Sequence, residues 1–142
     1  MDYLEVVKNW CNKRIKDITD LEIALDNFRI FFAYHSNLIE NPETTYEDTR
    51  EIFENGRVVN YTGELKTLYE IKNQKICVDF LTGEIIKRTP LSEGLIKKVH
   101  KLLMIGCYDE ARYMKGEYLG QYKVHEYIIG EGDAVGTTPE KT

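Results

Sequence analysis

An apolar stripe from Leu21 to Ile39, cut off at Asn41-Pro42, constrains this chain more than any other feature. Leu21, Ala24, Leu25, Phe28, Phe31, Phe32, His35, Leu38 and Ile39 recur at steps of three and four, which aligns side chains on one face of an α-helix. Such a face is wide enough to bury against several neighbours. Thr19 precedes it with a capping-box pattern: its hydroxyl can accept from the backbone N–H three residues on, while Glu22 reaches back. A residue before proline is pushed out of the helical region, so the helix must end at Asn41. Residues 20–41 therefore predict a helix of about 20 residues, on the order of 30 Å long. It is expected to be the spine of the domain.

Weaker periodic segments surround it. Leu4, Val7, Trp10, Cys11 and Ile15 sit at helical spacing and predict a first helix over 2–16. Thr44-Thr45-x-x-Asp48 starts a short helix that Gly56 ends in the left-handed conformation. A further helix over 62–81 turns Leu65, Leu68, Tyr69, Ile71 or Lys72, Ile76 and Phe80 inward, and Thr82-Gly83 closes it. Thr89-Pro90 opens the last one, proline standing at the first helical position where its missing N–H costs nothing. Leu91, Leu95, Ile96, Val99, Leu102 and Leu103 form its inner face, and Gly106 ends it.

Beyond Gly106 the period changes. Tyr113 to Gly120 is rich in breakers and reads as a structured loop. Tyr122 to Ile129 alternates and predicts a strand, Gly130-Glu131-Gly132-Asp133 a turn, and Ala134 to Thr138 a short returning strand. The expected fold is mainly α, with about five helices and one β-hairpin near the C-terminus, in a single domain over 1–142.

A chain of 142 residues can bury one real core and is too short for two comfortable ones. Its net charge is -5, and its basic residues are scattered among acids, which argues against a nucleic-acid partner. The start, MDYLEVVKNW, lacks the basic and apolar pattern of a signal peptide. No run approaches the roughly 20 apolar residues that span a bilayer, so no membrane partner is expected. Cys11, Cys77 and Cys107 are odd in number, far apart and without C-x-x-C spacing, as expected for reduced, mostly buried thiols of a cytoplasmic protein. No histidine or cysteine pair has metal-ligand spacing, and no metal site is assigned.

The end of the long helix carries the chemistry. Ser36 and Glu40 are four residues apart and lie one above the other on a helix face. A carboxylate near a helix C-terminus opposes the macrodipole, typically by a few tenths of a kcal/mol. That position suits gripping a cation brought by another element. The plain alternatives are an exposed glutamate and a serine hydroxyl bonded back to its own helix.

Ser36-x-x-x-Glu40-Asn41 resembles the Ser/Thr-x-x-x-Glu-Gly/Asn inhibitory helix of Fic-type protein adenylyltransferases. Leu91-x-x-x-Leu95-Ile96-x-x-Val99-His100-x-Leu102-Leu103 resembles the helix before that family's active-site hairpin. Gly116 to Lys123 is similar to its G-x-Y-R/K lead-in, and Val124 to Gly136 to its flap. The likeness runs over roughly residues 20–140.

The resemblance implies transfer of AMP from ATP, with Mg²⁺, to protein Ser, Thr or Tyr hydroxyls by the complete family protein. It implies that Glu40 pairs with the second arginine of the family's catalytic loop and displaces the ATP γ-phosphate, while Ser36 and Asn41 fix the helix end. It also implies that Tyr122, Lys123, Val124, His125, Glu126, Tyr127 and Ile128 bind a protein target as an added strand, through main-chain bonds at the flap edge.

The family's H-P-F-x-D/E-G-N-G-R loop is absent. His35, His100 and His125 are the only histidines, and none precedes Pro-Phe or Gly-Asn-Gly. Arg57, Arg88 and Arg112 stand isolated, and there is no glycine-rich phosphate loop. Nucleotidyl transfer depends on a metal and on donors aimed at the phosphates. No catalytic residue and no cofactor are therefore assigned to this chain, which is expected to be inactive alone.

Thr138-Pro139-Glu140-Lys141-Thr142 stands where that fold continues into a further helix, and reads as an interruption. A partial fold leaves an apolar patch of roughly several hundred Å² uncovered, which self-association would hide. The rival expectation is a stand-alone interaction module, a small helical protein that binds a partner through its hairpin edge or acts as an antitoxin-like inhibitor. His100 is expected to be core or half-buried and bonded to a backbone carbonyl, His125 to point outward from the flap, and Phe28, Phe31 and Phe32 to be core.

Overall fold

The computed structural model describes residues 2–25, 28–58, 61–127 and 136–141, and in it the longest helix lies at mid-chain. The elements are α1 (Tyr3–Asn12), α2 (Ile18–Leu25), α3 (Phe28–Leu38), α4 (Tyr46–Asn55), α5 (Leu65–Ile86), α6 (Glu93–Met104) and α7 (Glu110–Met114), then a 3-10 turn at Pro139–Lys141. The fold is mainly α, with seven α-helices among the described residues where about five were expected. No described helix is long and apolar enough to cross a membrane.

The spine is α5, which packs against α2, α3, α4 and α6. It runs straight through Thr82-Gly83, the predicted stop. Thr82 donates its hydroxyl back to the Val78 carbonyl at 2.9 Å, and the Gly83 carbonyl accepts from Lys87 N–H at 3.1 Å. The stop comes at Arg88, which takes a left-handed φ of 55° while Thr89 N–H closes onto the Glu84 carbonyl at 3.0 Å. Pro90 is not the first residue of α6. Ser92 caps that helix, its Oγ accepting from Leu95 N–H at 3.2 Å.

Other helix ends follow local chemistry. Thr45 caps α4 by accepting from Asp48 N–H at 3.1 Å, and Gly56 ends it at a φ of 64°, as expected. The cap of α2 is Asp17, whose Oδ1 accepts from Asp20 N–H at 2.9 Å, so the helix begins before Thr19. Gly106 turns the chain after α6 with a φ of 74°, and a Cβ there would fall 2.9 Å from the Tyr69 ring.

The core is built from small and polar side chains. Leu21, Ile30, Ala33, Ile52, Ile71 and Cys77 are buried beside Asn37, Thr44, Thr49, Thr67, Asn73 and Thr82. Small residues at a helix contact favour close approach, and bulky rings are then left flanking the seam. Phe28, Phe31 and Phe32 are accordingly 58%, 47% and 55% exposed, not core. Phe31 still does work at the flank: its ring and that of Tyr34 pack on Tyr46 with centroids 5.2 and 5.8 Å apart, fastening α3 to α4.

Leu65, Tyr69 and Ile76 of α5 and Leu91 and Ile96 near or in α6 are likewise exposed, and neither α1 nor α6 holds a buried residue. Cys11 is exposed, against expectation, while Cys77 is buried. An open apolar hollow of about 160 Å³ lies between α2–α3 and α5, lined chiefly by Leu25, Phe28, Phe32, Val78, Leu81 and Ile85.

No strand occurs among the described residues, so the alternating pattern of 122–127 and the residues 136–138 do not form the predicted β-ladder there. Ile128 and the rest of 128–135 lie outside the described residues. The two arms do meet: Gly136 N–H donates to the Tyr127 carbonyl at 3.1 Å, and Lys123 Nζ donates to the Thr137 carbonyl. Strand geometry fails at Val124 and His125 for a specific reason. In a strand, successive side chains and N–H groups alternate between opposite sides. Here both N–H groups donate to one oxygen of Glu117, which requires a bent backbone.

Candidate functional site

The end of α3 places Ser36, Glu40 and Asn41 together. They line a hollow of about 190 Å³ with Asn37, with Glu70 and Gln74 from α5, and with Leu103 and Met104 from α6. The turn after α3 is closed by Asn41 N–H donating to the Asn37 carbonyl at 2.8 Å, and buried Asn37 donates in turn to the Ala33 carbonyl at 2.8 Å.

Asn41 then ties this end to α5. Its Oδ1 accepts from buried Thr67 Oγ1 at 3.0 Å, and its Nδ2 donates to Glu70 Oε2 at 3.0 Å. Asn41 is therefore a structural fastener. Glu40, one residue earlier, is exposed; its N–H donates to the Asn37 carbonyl at 3.1 Å, and its carboxylate forms no ion pair or hydrogen bond among the described residues.

The lining is rich in acceptors and has no cation. Glu70 is partly answered by Lys66 Nζ at 3.4 Å, and buried Gln74 Oε1 has no hydrogen-bond partner among the described residues. Such a surface repels phosphate oxygens and attracts a guanidinium or ammonium group. The residues present thus do not fit the triphosphate of ATP.

The floor of α6 beside this hollow is fixed from α5. Asn73 Nδ2 donates to the Leu103 carbonyl at 3.0 Å and to the Ile105 carbonyl at 2.6 Å, occupying acceptors that a helix end leaves free. Burial pushes the Cys77 and Cys107 thiols up in pKa, away from the reactive thiolate.

A second cluster organises the predicted flap residues. Glu117, 3% exposed, accepts at Oε1 from Val124 N–H at 3.1 Å, His125 N–H at 3.2 Å and the Tyr127 hydroxyl at 2.8 Å. Burial works to raise its pKa, and the bonds from Tyr127, Val124 and His125 outweigh it, so the carboxyl ends below its ordinary value. The same bond holds the Tyr127 phenol above its usual range. His125 Nε2 donates to the Lys115 carbonyl at 2.8 Å, so its ring is not free, and the Arg112 guanidinium lies 5.1 Å from the Tyr127 ring.

This loop is fastened to α6. Gly120 N–H donates to His100 Nδ1 at 3.0 Å, which leaves the ring proton on Nε2. His100 thus accepts from a backbone N–H, where a bond to a carbonyl was expected. Gly120 has a φ of 72°, and a Cβ would lie 2.8 Å from the Lys97 carbonyl oxygen. Lys97 Nζ also stands 4.2 Å from the Tyr122 ring.

No family model, no curated protein and no solved structure matches this chain. The two clusters remain separate, since none of the described residues 113–127 lines the Glu40 hollow. Sequence reasoning found Ser36, Glu40 and Asn41 as neighbours and missed Glu70 and Gln74, which arrive from another helix. It also missed Glu117. The available signal there was an acid between two glycines, Gly116 and Gly120, just before the alternating segment.

Proposed function

We propose that this chain is the N-terminal portion of a Fic-type protein adenylyltransferase, carrying the autoinhibitory helix and the target-binding arm but not the catalytic loop. One observation carries the reading: Glu40 projects unpaired from a fastened helix end onto a hollow with no cation in its lining. That is the arrangement a carboxylate needs to receive an arginine from another segment. Ser36 shares the hollow, and Asn41 holds the helix end against α5. In this reading residues 122–127 belong to the target-binding arm, and the intact family protein supplies ATP and Mg²⁺ binding.

An antitoxin-like action in trans, the rival function, would use the same carboxylate. The uncovered apolar hollow at Phe28, Phe32 and Ile85 favours self-association of the chain.

The test is titration with a peptide containing the family's Gly-Asn-Gly-Arg segment. Glu40→Gln is expected to weaken binding about two- to fivefold, the worth of an exposed ion pair. Equal binding by both forms removes Glu40 from the role, and AMP transfer from labelled ATP by this chain alone overturns its assignment as inactive.

A further inference from the structure

We infer that Glu117 is an autoinhibitory latch on the target-binding arm: its carboxylate holds Val124 and His125 in a bend that excludes the strand form needed for β-addition. The inference rests on the reading of 122–127 as the target-binding arm, and adds its regulation.

Geometry makes the two states exclusive. Val124 N–H and His125 N–H, adjacent in sequence, reach the same Oε1 at 3.1 and 3.2 Å. Consecutive N–H groups converge on one anion only in a nest-like turn, whereas in a strand they diverge to opposite edges. An arm bound to Glu117 therefore cannot offer a regular edge through these residues. The Tyr127 hydroxyl adds a third bond at 2.8 Å and clasps the far side of the bend.

The rest of the arm is ready for pairing. Gly136 N–H already meets the Tyr127 carbonyl at 3.1 Å, a first cross-strand bond, and the segment 122–127 carries the alternating Tyr122, Val124 and Glu126. The latch is itself anchored. Glu117 N–H donates to the Arg112 carbonyl at 3.0 Å, and Gly120 holds the following turn against His100. Releasing the carboxylate would free the arm without undoing the loop that carries it.

Backbone ¹³C chemical shifts of the full chain, with no target present, test this. In Glu117→Ala the Cα shifts of 122–127 are expected to move upfield and the Cβ shifts downfield, the signature of extended backbone. Glu117→Gln, which keeps an acceptor but loses the charge, is expected to move them part of the way. Amides of Ile71 and Thr67 in α5 report that the fold is intact. Shifts unchanged in both variants, or collapsed to random-coil values, overturn the latch, because Glu117 would then be irrelevant to the bend or would build the arm. The outcome does not depend on any target. An arm that extends in Glu117→Ala yet never engages a peptide would refute the functional reading and leave the latch standing.

Discussion

Asn41→Ala tests whether the helix end that presents Glu40 is held by design of its hydrogen bonds. The substitution removes the acceptor of Thr67 Oγ1 and the donor to Glu70 Oε2, each at 3.0 Å. Thr67 is 1% exposed, so its hydroxyl cannot recover the lost bond from water. A buried donor left without a partner costs about 1–3 kcal/mol. The bond to Glu70 is partly solvated and contributes about 0.5–1.5 kcal/mol. The expected loss is about 2–4 kcal/mol, with a fall in Tm of roughly 3 °C per kcal/mol for a chain of this size.

Urea unfolding followed by far-UV circular dichroism measures the loss, and a cycle with Thr67→Val isolates its cause. Removing both partners should cost less than the sum of the two single changes, by about 1–2 kcal/mol, because the double variant strands no buried donor. A loss below about 0.5 kcal/mol for Asn41→Ala, or strict additivity in the cycle, would refute the fastening role. Amide exchange at residues 39–41 should rise in parallel, since the presented carboxylate rides on this turn.

Gly120→Ala should undock the 117–121 loop from α6: the left-handed φ costs about 1–2 kcal/mol and the new Cβ meets the Lys97 carbonyl at 2.8 Å. Faster amide exchange confined to 117–127 is the expected readout, and unchanged exchange there refutes the close docking. Stability should also depend on pH through Glu117 and Tyr127. The folded carboxyl titrates below its ordinary 4.5, so its contribution is present above that value and lost as pH falls through the folded pKa. The folded phenol titrates above its ordinary 10.0, so its contribution is lost as pH rises beyond that value. Glu117→Gln should flatten both limbs in urea unfolding across pH; intact limbs would exclude this pair as their source.

What was legible in the sequence was what local side chain–backbone chemistry decides. Thr45 and Gly56 bound α4 because a cap and a left-handed stop act within one turn. Gly106 turns the chain left-handed just past α6, which ends at an extended Ile105, and Ser36, Glu40 and Asn41 are neighbours because they are close in sequence across the end of α3 at Leu38. Thr82-Gly83 misled because Thr82 returned its hydroxyl to Val78, and nothing blocks a helix at Gly83 until Arg88 turns left-handed. The phenylalanines misled because period does not say which flank of a stripe meets the seam; Ile30, Ala33 and Asn37 took it. The alternation over 122–125 is genuine, but the Glu117 carboxylate, seven and eight residues upstream, claims the Val124 and His125 N–H groups that a strand would share. The strand period does not register such competition; only the acid between Gly116 and Gly120 hints at it.

α6 brings the two clusters under one constraint. It has no fully buried residue, but Leu95, Val99, Leu102, Leu103 and Met104 are half-buried where it packs on α5. Directional bonds add to that packing: Asn73 grips the Leu103 and Ile105 carbonyls at its end, and Gly120 docks on His100 within it. His100 precedes Leu103 and Met104 by three and four residues, so the residue that anchors the arm lies one turn from those that wall the Glu40 hollow. A shift of α6 that loosened Gly120 would therefore also move the hollow's wall. Hydrogen bonds, unlike apolar contact, fail abruptly with small displacement. On the proposed reading, coupling between the 122–127 arm and the Glu40 hollow would run through this helix and the amide of Asn73.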